Sequence, residues 1–386
     1  MGKMIPYGKH EISEKDIDSV ISVLKSDFLT QGPVVPEFER TVARYVGAKH
    51  GVAVNSATSA LHIACLALDL GPGDWLWTSP ITFVASANCG LYCGAQVDFV
   101  DIDPETCNLC PNALENKLAV AEITGKLPKI VVAVHFCGQP CDMKSIHKLS
   151  KKYGFKIIED ASHAIGSKYH SEFVGNCKYS DITVFSFHPV KIITTAEGGI
   201  ALTNADDMAQ RLALLRSHGI TRNPCEMSCT PDGSWYYEQV GLGFNYRMTE
   251  LQGALGMSQM GSLDYFVTKR RILAARYDEM LRILPITTPQ QLFDTESSFH
   301  LYVIRLLDYS KRSQVFEILK SKGVGVNVHY IPVHLQPYYR SMGFSEGAFP
   351  EAERYYKQAI TLPLYPTLSL MEQDRVVTEL HLAIQQ

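Results

Sequence analysis

Three short segments of this sequence hold the residue types that handle an aldehyde, an acid–base pair and a phosphate. In "FSFHPVKIITTAEGG", Lys191 stands just beyond an apolar run and a proline. A lysine at the end of a buried strand loses solvent, its pKa falls, and its free amine can attack a carbonyl carbon. An exposed loop lysine is the other reading of the same residue. Ser186, five residues earlier, offers a hydroxyl to a phosphate, and Gly198 and Gly199 permit close backbone approach. In "IIEDASHA", an apolar run ends in Glu159 and Asp160. A carboxylate there sits at the strand edge where open α/β sheets place ligands. It either pairs with the ring nitrogen of a bound cofactor or caps the following turn. In "NSATSALHIA", a strand runs through small and hydroxylated residues into a helix, with Thr58 and Ser59 at its start. Free N–H groups and the positive dipole end suit an anion, and the same residues suit an ordinary Ser/Thr cap.

An anion-binding helix start, an acid and an amine in this chain order are the parts of a pyridoxal phosphate (PLP) site. Lys191 would hold the cofactor as a Schiff base. A carboxylate of the Glu159–Asp160 pair would keep its pyridine nitrogen protonated, so that the ring draws electrons from the substrate. Phe83, in "SPITFVASANCG", is the candidate to stack on the ring, with a core position as the alternative. His163 lies three residues after Asp160 and would reach the ring oxygen or support Asp160. His188 reads as structural. No G-x-x-x-x-G-K-[ST] or G-x-G-x-x-G joins a strand to a helix, so a nucleoside triphosphate or dinucleotide fold has no support.

These residues need a scaffold of alternating strands and helices. "GVAVNSATSALHIACLAL" reads as strand, turn and helix. "IVVAVHFCG", "FKIIEDASHA", "DITVFSFHP" and "GGIALTN" are short apolar runs of the kind buried in parallel sheets. The order implies an α/β fold with a largely parallel sheet. Ser13 and Asp16 form a capping box for a first helix, and a second runs from Val34 to Val46. A helix is expected over Met143 to Tyr153. One long helix is expected from Thr249 to Leu281, joining two domains. Beyond it, "SSFHLYVIRL" alternates like a half-exposed strand, "KRSQVFEILKSKG" reads as a helix closed by Gly323, and "GVNVHYIP" as a further strand. The division expected is a large cofactor-binding domain with an N-terminal arm over 1–262, and a small α/β domain over 263–386.

The chain has 386 residues, a formal net charge of −4 and no basic run, so a nucleic-acid groove is not indicated. No stretch reads as a membrane span or an export signal, so a cytoplasmic enzyme with reduced thiols is expected. Cys107 and Cys110 form a lone C-x-x-C, and Cys225 and Cys229 flank a loop. Neither has the further ligands a structural zinc needs, so no metal is expected.

Taken together, "DFLTQGP", "NSATSALH", "EDASHAIG", "FSFHPVKIITTAEGG" and "GFNYRMTELQGALG" resemble, in order, the DegT/DnrJ-type sugar aminotransferases. The resemblance covers nearly the whole chain. It implies the aspartate aminotransferase (type I) PLP fold, with Lys191 as the cofactor lysine and Asp160 on the pyridine nitrogen. It also implies Thr58, Ser59 and Ser186 on the phosphate, and Phe83 on the ring. Asn245 matches an asparagine that reaches the neighbouring subunit's cofactor phosphate, which implies a homodimer with shared active sites. "VNVHYIPVHLQPYY" and the segments above look most like members that aminate a 4-keto sugar in pseudaminic acid synthesis. Those members use L-glutamate and a UDP-linked keto sugar and make UDP-4-amino-4,6-dideoxy-N-acetyl-β-L-altrosamine. Another 3-keto or 4-keto nucleotide sugar, or a PLP-binding regulator without turnover, are the alternatives. A lysine at 191, where the family's dehydratases carry histidine, favours transamination. His329 and Tyr330 are then sugar or nucleotide contacts, or else a strand end packed beneath the site.

Overall fold

The computed structural model describes residues 4–386. Its largest element is a seven-stranded sheet. In chain order the strands are β1 (His50–Val54), β2 (Trp75–Thr78), β3 (Gln96–Phe99), β4 (Ile130–Val134), β5 (Lys156–Asp160), β6 (Ile182–Ser186) and β7 (Gly199–Thr203). Their order across the sheet is β1-β7-β6-β5-β4-β2-β3. Neighbours from β6 to β3 are parallel, while β7 is antiparallel to both β6 and β1. Every residue of β4, β6 and β7 is buried. That is why these strands read as unbroken apolar runs: helices cover both faces.

The antiparallel strand β7 has a positional consequence. Because it reverses direction twice, β1 points the same way as β4, β5 and β6. The carboxyl ends of these strands, and the amino end of β7, therefore meet at one edge. The helices that begin there include α3 (Ala57–Ala67) after β1 and α4 (Ala85–Tyr92) after β2. Gly199 opens β7 against the start of α3. A Cβ on it would stand 2.5 Å from the Ala57 amide nitrogen, so only glycine allows this approach.

Around the sheet, α1 (Glu14–Leu24) starts with the Ser13–Asp16 capping box, and α2 is Val34–Val46. Then come α5 (Pro111–Thr124), α6 (Met143–Tyr153) and α7 (Asp206–Arg216). The long helix expected over Thr249 to Leu281 is two helices, α8 (Glu250–Met260) and α9 (Leu263–Leu281), broken at Gly261 and Ser262. The apolar period continues across the break, so the pattern hides it. One end of α9 buries Leu263, Phe266 and Val267 with Phe38 and Phe185, beside the large sheet. The other end buries Leu273, Ala274, Tyr277 and Leu281 in a separate core.

That second core backs a three-stranded antiparallel sheet of β8 (Ile286–Thr287), β9 (Tyr302–Leu306) and β10 (Ala359–Leu362), with β9 in the middle. The "SSFHLYVIRL" strand is thus buried rather than half-exposed, since four of the five residues of β9 are buried. The helix before Gly323 is α10 (Arg312–Ser321). The "GVNVHYIP" strand does not form. Asn327 makes an isolated bridge to Thr361, and the chain then turns through a cis His329–Tyr330 peptide toward the large sheet. The N-terminal arm is stitched to the same region, with Ile5 N–H donating to Gly323 O at 2.9 Å and Gly325 N–H to Ile5 O at 2.7 Å.

All ten cysteines are free. Among the described residues, no cluster of three or more His, Cys, Asp or Glu is placed to hold a metal ion, and no helix is long and apolar enough to cross a membrane.

Candidate active site

The shared strand edge opens into a cavity of about 490 Å³. Thr58, Phe83, Asp160, His163, Ser186, Lys191, His329 and Tyr330 all line it. Of the residues singled out from the sequence, Ser59 and Asn245 do not.

The helix start beside β1 explains Ser59. Ser56 is extended, and its hydroxyl accepts the Ser59 N–H at 3.1 Å, which caps α3. The Ser59 hydroxyl turns inward and donates to Asn55 Oδ1 at 2.7 Å. The N–H groups of Ala57 and Thr58 belong to the first turn and have no intrahelical acceptor. These two residues and Ser56 face the cavity. At the end of β6, Ser186 is buried and also faces in. An anion placed between α3 and Ser186 meets donors from both sides.

Asp160 ends β5 and is 6% exposed. Its Oδ1 accepts from the Ser162 hydroxyl at 2.6 Å and the Ser162 N–H at 3.1 Å. Its Oδ2 accepts from the Ser86 hydroxyl at 2.6 Å. Neither serine stood out in the sequence. Ser162 is adjacent in sequence, but Ser86 arrives from α4, and only tertiary structure joins it to β5.

Lys191 sits in a turn pinned at both ends. The Thr194 hydroxyl and the Thr195 N–H both donate to Phe187 O, while Ile192 and Ile193 are buried beneath. Its own N–H donates to His188 O at 2.9 Å. The side chain is half-buried, and among the described residues Nζ makes no hydrogen bond or ion pair. Burial lowers its pKa to about 8, against the opposing pull of Asp160 and Cys137. A neutral amine is therefore accessible near physiological pH.

His163, His329 and Tyr330 complete the lining. His163 Nδ1 accepts the Cys137 N–H at 3.3 Å, so its proton resides on Nε2, which donates to the Tyr330 hydroxyl at 3.3 Å. Burial, reinforced by the Lys191 charge, holds His163 well below the ordinary histidine pKa and keeps it neutral. Burial raises the Tyr330 pKa, so its hydroxyl stays protonated and retains a proton to donate. His329 Nδ1 pairs with the Thr361 hydroxyl at 2.8 Å, and burial lowers its pKa to about 4. Phe83 is no core residue. It is 58% exposed at the cavity, its ring centroid 6.4 Å from that of Tyr330.

Tyr7 of the N-terminal arm, Thr82, Ser162 and Glu197 also line the cavity and were not anticipated. His188, read as structural, lines it too, 3.9 Å from Glu197. Asn245 is exposed, away from its own chain's cavity.

Residues 10–381 match the DegT/DnrJ/EryC1/StrS aminotransferase family. The chain belongs to this family. Among curated relatives, the spore coat polysaccharide biosynthesis protein SpsC of Bacillus subtilis is 39% identical, over 97% of this chain and 95% of that protein. The UDP-4-amino-4,6-dideoxy-N-acetyl-beta-L-altrosamine transaminase of Campylobacter jejuni is 37% identical, over 96% and 94%. Among solved structures, Helicobacter pylori PseC, an aminotransferase in pseudaminic acid biosynthesis, superposes with a TM-score of 0.90 at 31% identity, covering 99% of this chain and 100% of that one. NtdA from Bacillus subtilis, solved with bound pyridoxamine phosphate, aligns with a TM-score of 0.84 at 30% identity, over 97% and 82%. The fold is that of the PLP-dependent aminotransferases, and the enzyme is a PLP-dependent sugar aminotransferase acting on a keto sugar and an amino donor. The donor set fits the cofactor: an unpaired amine, a buried carboxylate and a helix start with free N–H groups share one cavity.

Proposed function

We propose that this enzyme transfers the amino group of L-glutamate to the C4 ketone of a UDP-linked 4-keto-6-deoxy-N-acetylhexosamine. The product is UDP-4-amino-4,6-dideoxy-N-acetyl-β-L-altrosamine, an intermediate for pseudaminic acid. The observation that carries the reading is the cavity itself, in which an unpaired Lys191 and the buried Asp160 share one lining with His163, His329 and Tyr330. The Campylobacter jejuni relative and PseC, similar over nearly the whole chain, support the choice of sugar.

Bound here, PLP supplies an aldehyde that captures amines and a protonated ring that takes up the electron pair released at the substrate carbon. Lys191 would anchor it and would carry a proton to or from the reacting carbon. A pKa of about 8 suits that work. Asp160 holds the ring nitrogen, and Phe83 covers the ring face. His163 presents its Nε2 proton near the ring oxygen, shared with Tyr330. Thr58, Ser186 and the α3 N–H groups hold the phosphate, with Ser59 bracing the turn from within. His329 and Tyr330 face the sugar or its nucleotide.

The working unit in this reading is a homodimer. Asn245 is exposed and does not line its own chain's cavity, which leaves it free to serve the partner's phosphate. In the preceding segment, Trp235 is 70% exposed and Leu242 81% exposed, apolar surface that a second copy would cover. The free thiols suit the reducing cytoplasm we assign to the enzyme. We place the domain division between residues 262 and 263, at the α8–α9 break.

A second reading, amination of a different nucleotide keto sugar, is favoured by the equally extensive similarity to SpsC. A panel of UDP- and dTDP-linked keto sugars separates the two. Glutamate should bleach the visible absorbance of the loaded enzyme. The UDP-linked 4-keto sugar should restore it, with NMR giving the C4 configuration of the product. Restoration only by another sugar replaces the first reading with the second, and restoration by none overturns both.

A further inference from the structure

An ionised carboxylate accepts hydrogen bonds and donates none, and its two oxygens offer about four acceptor positions. At Asp160 three are filled. Ser162 fills two on Oδ1 through its hydroxyl and its N–H, and Ser86 fills one on Oδ2. The open position is therefore on Oδ2, the oxygen that Ser86 holds, and Asp160 lines the cavity.

Behind Ser86 stands a second hydroxyl. Thr82 Oγ1 lies 2.7 Å from Ser86 Oγ, and both residues are buried, Thr82 at 2% and Ser86 at 0% exposure. A hydroxyl has one proton to give. Ser86 must give its proton to the carboxylate, so Thr82 must give its own to Ser86. The direction of the chain is fixed: Thr82 to Ser86 to Asp160 Oδ2. Aligned hydroxyls polarise one another and strengthen the last, charge-assisted bond. With Ser162 gripping the other oxygen, the carboxylate cannot swing about its terminal torsion, which is otherwise soft.

We propose that Ser86, backed by Thr82, is a positioning residue that fixes Asp160 Oδ2 as the single acceptor for the cofactor's ring nitrogen. This rests on the reading of Asp160 as the ring partner given above. It assigns a role to Ser86, which is fully buried in the first turn of α4 and does not line the cavity. Ser86 acts only through Asp160.

The test compares two ligands on the cofactor-free enzyme: PLP, and its 1-deaza analogue, in which a C–H replaces the ring nitrogen. Binding of each is measured by fluorescence titration, and the ratio of the two affinities is the readout. Wild type should favour PLP. Ser86→Ala should lower that preference about tenfold, the worth of one charge-assisted bond. Ser86→Thr keeps the hydroxyl and should hold the ratio within about twofold. Thr82→Val, which removes only the donor behind Ser86, should lower it about threefold. A merely structural role for Ser86 would weaken both ligands together and leave the ratio unchanged, and that result overturns the proposal. Should Ser86→Ala fail to fold, an unchanged ratio in Thr82→Val overturns it equally. If wild type itself does not discriminate, the failure lies with Asp160 as ring partner, and the proposal falls with it.

Discussion

Glu159 and Asp160 are consecutive carboxylates at the end of one buried strand, 5% and 6% exposed, yet they belong to different parts of the molecule. Side chains alternate across a sheet. Asp160 faces the cavity. Glu159 faces the opposite layer, where His135 Nε2 lies 2.6 Å away and the Ser180 and Thr183 hydroxyls donate at 2.5 and 3.1 Å. His135 Nδ1 accepts the Cys141 N–H, which leaves Nε2–H for Glu159. Burial alone would raise the Glu159 pKa, but the bonds from His135, Ser180 and Thr183 hold it below its ordinary value. Both carboxylates accept three hydrogen bonds, but Asp160 lines the cavity, where its open position can meet a ligand, whereas Glu159 does not. The same chemical group becomes scaffold or site according to which face of β5 it occupies.

The largest expected effect lies on the cavity side. Lys191→Ala should lower kcat by at least about 10⁴-fold, since it removes both the covalent anchor and the proton carrier. It should also abolish the visible absorbance of the loaded enzyme, while the Tm of the cofactor-free protein stays at or above that of wild type. An unchanged spectrum would falsify the assignment of Lys191.

The two carboxylates should then separate cleanly. Asp160→Asn should reduce kcat by about 10²-fold or more while costing little stability, because the amide oxygen still accepts from Ser162 and the Ser86 hydroxyl can turn to accept the amide N–H. Glu159→Ala should do the reverse. It strands His135, Ser180 and Thr183 in the interior, and should destabilise the protein by about 3 kcal/mol in urea unfolding. Activity per folded molecule should stay within about threefold of wild type. Equal losses of activity in both variants would erase the distinction between the faces.

Much of the cavity side was legible because its motifs are local. Lys191 with Ser186, Asp160 with His163, and Thr58 within its turn are each set by a few consecutive residues, and each lies at a strand end that an apolar run marks. Which of Glu159 and Asp160 faces the site was not legible. A strand covered on both faces shows no alternation of polarity to orient it. Ser86 and Tyr7 were invisible for another reason: they reach the site from elements distant in sequence. The spacing of Thr82 and Ser86, four apart at a helix start, was the available signal for the first. In the second sheet, β9 was read as half-exposed because its central place depends on β10, more than fifty residues later. The segment at 324–331 had strand-forming residues, but it makes only isolated bridges, Val324 to Ile5 and Asn327 to Thr361, before it turns to deliver His329 and Tyr330.

A smaller effect should appear in pH dependence. Folding lowers the Lys191 pKa from 10.5 to about 8, so between those values the unfolded chain binds more protons. Stability then rises with pH through that window, and below about 8 the lysine is a net cost. Lys191→Met should therefore stabilise the cofactor-free protein by about 1 kcal/mol at pH 7, an advantage that shrinks to nothing near pH 10.5. A constant difference across pH would place the effect in packing. Glu159 has the opposite sign. Its lowered pKa contributes stability above the ordinary carboxylate range, which is lost as pH falls through the lowered value.

The finest version of the comparison lies in α3, where Thr58 and Ser59 repeat the contrast of Asp160 and Glu159 on adjacent residues. Thr58 faces the cavity, while the Ser59 hydroxyl is spent on Asn55. Thr58→Val should weaken PLP binding about five- to tenfold with stability unchanged, because one neutral donor to an anion is lost. Ser59→Ala should instead cost about 1 kcal/mol of stability, since it leaves Asn55 Oδ1 without that donor. Its PLP affinity should fall by no more than about twofold, because the N–H groups at the helix start remain. Equal affinity losses in the two variants would mean that Ser59 turns outward when the phosphate binds, and that the inward hydroxyl is a resting state rather than a brace.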